Sequence, residues 1–79
     1  MTDPWNGYAF KVTSPDMNSP GVKRHRQLLV VARNMQEASE IAQRMTPGAI
    51  FEGSGPEILA KARKIGVGDN DARLYDPSA

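Results

Sequence analysis

Residues 28–32, Leu-Leu-Val-Val-Ala, are the feature that most constrains what this chain can fold into. Successive strand residues point to opposite sides, so Leu28, Val30 and Ala32 share one face and Leu29 and Val31 the other. A strand apolar on both sides lies at the centre of a sheet or has its second face covered. This run is preceded by Lys23, Arg24, His25 and Arg26, and followed by an acidic, polar segment that opens at Asn34. The chain therefore passes from a cationic stretch into the core and out again within a few residues.

The flanking pattern supplies partners for that strand. Residues 8–13 alternate, with Tyr8, Phe10 and Val12 on one side and Ala9, Lys11 and Thr13 on the other, which predicts a half-buried strand. Residues 14–21 are dense in Pro, Ser, Asp, Asn and Gly and predict a long, mobile hairpin loop into a second strand over 27–32. Asn34 is a good N-cap with Glu37 three residues on, and Met35, Ala38, Ile41, Ala42 and Met45 form one stripe, so a helix is expected over 34–45. Thr46, Pro47 and Gly48 stop it, and residues 49–51 predict a short third strand. A second helix follows over 56–65, with Ser54 as N-cap, Glu57 at the third helical position, an apolar stripe of Ile58, Leu59, Ala62 and Ile65, and Gly66 closing it. Residues 72–75 offer a short final strand at a sheet edge.

The order β-β-α-β-α, with that short last strand, defines an α+β domain. Strand–helix–strand units cross over right-handed, which predicts a two-layer sandwich with both helices on one face of a three- to four-stranded sheet. Leu29 and Val31 would then lie on an open face that needs a cover: Trp5 folded back, residues 72–75, or a second copy of the chain in a homodimer. A single domain over 1–79 is expected, with 1–6 and 76–79 flexible. The cadence from Val30 to Met45 resembles one found in many small phage and bacterial proteins, and marks a fold element.

Composition excludes much chemistry. At 79 residues the core is small, since a domain of this order buries roughly 60% of the surface its unfolded chain exposes. Without cysteine there are no disulfides, thiolate nucleophiles or Cys-type zinc sites, as is ordinary for the cytoplasm. No apolar run is long enough to span a membrane, and residues 1–10 lack the basic and apolar regions of a signal peptide. His25 is the lone histidine, so an imidazole metal site lacks partners and none is expected. Residues 53–57, Gly-Ser-Gly-Pro-Glu, fit neither the dinucleotide fingerprint nor the P-loop, and Glu57 already occupies the positive end of the helix. Asp69, Asp71 and Asp76 lack the glycine and distal glutamate of a calcium loop. No serine lies in a nucleophile-elbow context. The chain reads as a non-enzyme without cofactor.

The cations carry the functional expectation. If both helices return to the mouth of the second strand, Arg44, Lys61, Arg63 and Lys64 join Lys23, Arg24, His25 and Arg26 at one pole. The plain alternative is solvated charge that blunts a strand end and satisfies helix dipoles. As a site, the pole suits a protein partner with an acidic surface, making this an adaptor or inhibitor-like accessory protein of the phage or mobile-element type. The alternative is a sequence-indifferent binder of nucleic-acid backbone. A net charge of +1 weighs toward the first, because proteins that coat nucleic acid are usually far more basic.

Overall fold

The computed structural model describes residues 4–15 and 23–75. Two long strands, β1 (Asn6–Pro15) and β2 (Lys23–Ala32), are followed by α1 (Met35–Met45), β3 (Ile50–Gly55), α2 (Pro56–Lys64) and β4 (Asp71–Tyr75). The sheet has the order β3-β1-β2-β4, with every neighbouring pair antiparallel. The α+β class and the short final edge strand are as the sequence predicts, and β2 takes the central position that its two apolar faces demand.

The placement of the helices differs from expectation. Two separate apolar clusters lie on opposite faces of the sheet. The first joins Tyr8, Phe10, Val12, Leu28, Val30 and Ala32 to Ala38 and Ala42 of α1. The second joins Ala9, Leu29 and Val31 to Ala62 of α2 and to Val67, with Trp5, Ile58, Leu59, Ile65 and Tyr75 packed around it. The helices thus sandwich the sheet, in three layers instead of two. The physical reason is strand direction. β2 and β3 both run antiparallel to β1, so they are parallel to each other and α1 is a true crossover between them. β4 is antiparallel to β2 and hence to β3, so the handedness rule for parallel units does not govern α2.

A second correction follows. There is no open face bearing Leu29 and Val31: they are 1% and 0% exposed, with α2 as their cover. Trp5 is a half-buried flank of the same cluster, with the Arg33 guanidinium 5.3 Å from its ring centroid. The cover that the sequence left to a second copy of the chain is supplied on this face by α2 of the chain itself.

Local chemistry explains most element ends. The Asn34 side chain accepts a hydrogen bond from the Glu37 amide at 2.9 Å, satisfying one of the orphan donors of α1. Gln43 holds the turn beyond α1 from both sides, donating to the Ala49 carbonyl at 2.9 Å and accepting from the Gly48 amide at 3.0 Å. The end of α2 is a Schellman motif, in which Gly66 at φ +91° lets its own amide reach Arg63 O and the Val67 amide reach Ala62 O. At the start of α2 the expectation fails. Ser54 pairs with Tyr8 in the ladder, β3 runs on to Gly55, and Gly55 at φ +154° is the N-cap with no side-chain cap. Pro56 at the first helical position has no amide to cap, which lowers the demand for one.

Candidate functional site

The candidate site grows from a mismatch in strand length. β1 and β2 pair along their full lengths, from Asn6 opposite Ala32 to Pro15 opposite Lys23. Their outer neighbours stop sooner: β3 pairs with Gly7 to Lys11, and β4 with Gln27 to Val31. The pairs Val12–Arg26, Thr13–His25, Ser14–Arg24 and Pro15–Lys23 therefore run past both outer strands; Val12 is still buried in the cluster under α1, and the last three pairs leave the body as a two-stranded arm rooted at Val12–Arg26. At about 3.4 Å per residue, three pairs carry it roughly 10 Å outward. Residues 14–15, expected in the loop, and 23–26, expected ahead of the second strand, are both strand. The cross-strand ladder takes in both, since hydrogen-bonded pairing is not confined to apolar residues. Residues 16–21 of the predicted loop lie outside the described residues.

Charge is distributed unevenly along this axis. Residues 11–15 and 23–26 hold Lys11, Lys23, Arg24 and Arg26, together with His25, and none of the chain's nine Asp and Glu. Asp16, next in sequence, and Asp76 lie outside the described residues. Acids collect at the other end of the body. Asp71 stands opposite Val31, Glu57 follows Gly55 whose partner is Gly7, and Glu37 is in the first turn of α1 just beyond Ala32. The molecule is cationic at the arm and acidic at the end remote from it.

The remaining predicted cations divide. Lys61 Nζ lies 4.2 Å from the centroid of the Tyr75 ring, a cation–π contact, and Tyr75 stands opposite Gln27, beside Arg26 in the chain. It therefore belongs to the base of the arm. Arg63 is committed elsewhere, to the Asp69 carboxylate at 2.6 Å and the Val67 carbonyl at 3.4 Å. Arg44 lines an open cleft of about 320 Å³ with Glu37, Glu40, Ile41 and Asn70, where two carboxylates offset its charge. Lys64 is exposed in the last turn of α2. Lys23, Arg24 and His25 are fixed by backbone register, as above. Arg26 is half-buried at the root of the arm, and its Nε is enclosed without a hydrogen-bond partner.

Two body cations that sequence reasoning left aside are also engaged internally. Arg33 lies 3.8 Å from the Glu37 carboxylate as well as over Trp5, and Arg73 donates to the Ile65 carbonyl at 2.7 Å. Among the described residues no group of three His, Asp or Glu could hold a metal ion, and no helix is long and apolar enough to cross a membrane. Comparison with models of protein families, with curated proteins and with solved structures finds no match.

Proposed function

We propose that this chain is a small non-enzymatic interaction module that docks on an anionic partner through its cationic arm. The observation that carries it is the overrun of β1 and β2 past both outer strands, in a segment that holds Lys23, Arg24 and Arg26 and no acid, with Lys11 at its base. A ribbon that leaves the packed body adds little to the core and exposes backbone on both edges, a feature that proteins otherwise shorten or cover. A charged projection of this kind fits a contact surface. Support for the non-enzymatic part comes from the cleft beside α1, which is open and lined on the helix by the Glu37, Glu40 and Arg44 side chains. Such a surface lacks the enclosure that a reacting centre needs to exclude water.

Charge reversal tests the docking surface. Arg24→Glu removes a cation from the arm, and Arg33→Glu makes the same charge change on the body. On an immobilised polyanion, the wild type and Arg33→Glu should elute together, and Arg24→Glu at clearly lower salt. Equal elution of all three would return the arm to solvated charge.

A further inference from the structure

Resting on the arm as the docking surface, we infer that the anionic partner is a nucleic-acid duplex, with the arm seated in its major groove. Three features of the arm select this occupant over an acidic protein surface or a single strand.

The first is size. The arm is two hydrogen-bonded strands wide and one strand thick, and the major groove of a duplex, about 12 Å across, admits a two-stranded β-ribbon. Roughly 10 Å of projection is more than the groove's depth of about 8.5 Å, so the four-stranded body can stay outside while the ribbon enters.

The second is that both faces are cationic. Strand alternation puts register positions 23 and 25 on the face of Lys11, and position 24 on the face of Arg26. A flat acidic protein patch meets one face of a ribbon and uses half of this charge. A groove is walled by phosphates on both sides and uses all of it. Lys61, held over Tyr75 at the arm's base, stands where the nearer phosphate strand would pass. The acidic far end, with Glu37, Glu57 and Asp71, then points away from the duplex.

The third is the absence of stacking residues. No aromatic side chain occurs in 11–15 or 23–26; near the arm's base Phe10 is buried under α1, Tyr75 is half-buried with Lys61 over its ring, and Phe51 is exposed on β3 with its ring edge-on to Phe10. Binders of single strands use exposed aromatics as stacking platforms. A grip that relies on phosphate alone favours the regular, closely spaced charges of a duplex. It also carries no sequence preference.

Fluorescence anisotropy tests the inference with three labelled probes: a random-sequence duplex of about 20 base pairs, its single strand, and polyglutamate of matching charge. Neutralising four phosphates gives a log–log salt slope near −3.6, so duplex affinity should fall roughly 150-fold between about 50 and 200 mM salt. Duplexes of unrelated sequence should bind alike, and at least about tenfold more tightly than either other probe. Arg24→Glu, checked for native circular dichroism, should lose duplex binding. Polyglutamate or single strand bound as tightly as duplex would overturn the groove and leave the arm a docking surface. No binding to any polyanion, with Arg24→Glu behaving as wild type, would overturn both.

Discussion

Gly7→Ala should be among the most damaging small substitutions in the molecule, because α2 lies directly on β1 at that point. A Cβ built on Gly7 falls 2.1 Å from the Leu59 amide nitrogen and 2.5 Å from Ile58 C and Leu59 Cα. These are backbone atoms and cannot turn aside as a side chain could. Ordinary contact begins at 3.4 Å, so the helix must withdraw by at least 1.3 Å, the difference between 3.4 and 2.1. Withdrawal on that scale loosens Ile58, Leu59 and Ala62 from Ala9, Leu29 and Val31, and a gap of about 1 Å forfeits up to half of each dispersion contact. Overpacking usually costs about 1–3 kcal/mol, and with backbone as the obstacle the upper end, about 3 kcal/mol, is expected. Urea unfolding followed by circular dichroism reads this as a lower midpoint. Gly53→Ala is the control, since the nearest atom to its added carbon is Ile58 Cδ1 at 4.0 Å, and it should stay within about 0.5 kcal/mol of wild type. If Gly7→Ala matches Gly53→Ala in stability, α2 does not pack on the sheet as described.

Two further substitutions probe the ends of the fold. Asn34→Ala removes the hydrogen bond to the Glu37 amide and should cost about 1 kcal/mol in the same unfolding assay, with α1 fraying first in amide exchange. Trp5→Ala should cost about 2 kcal/mol, less than the roughly 3–5 of a fully buried aromatic because Trp5 is half-exposed. Its emission in the native protein should be blue-shifted and should move to red on unfolding, tracking the global transition.

The sequence made the central strand legible because residues 28–32 are apolar without interruption, and no edge strand can carry that on both sides. It made α1 legible because Asn34, the Ala38–Ile41–Ala42 stripe and the turn at Gly48 agree with one another. The side on which α2 packs was not legible. That depends on β4 running antiparallel to β3, and residues 71–75 contain nothing that states their direction. A sharper signal was present at Gly7 and went unused: a glycine inside an alternating strand often marks close approach of another backbone, here that of α2. The arm was half legible. The cationic run was visible as a candidate surface, but its lack of apolar alternation hid that it is strand. Its register partners across β1 come from ladder pairing that composition cannot report. Arg63 and Arg44 were read with the arm on helix length alone. Their partners, Asp69 for one and the carboxylate-lined cleft for the other, are set by turns and side-chain reach.

The most direct measurement of the central claim is a footprint. Amide chemical shifts of the isotope-labelled protein, followed while a random-sequence duplex is titrated in, report which backbone positions meet the partner. The account predicts perturbations concentrated at residues 11–15 and 23–27, with a smaller response at Lys61 and Tyr75, and little change at Glu37, Glu40 or residues 69–71. Shifts centred on the α1 cleft or the acidic end, with the arm silent, would contradict it.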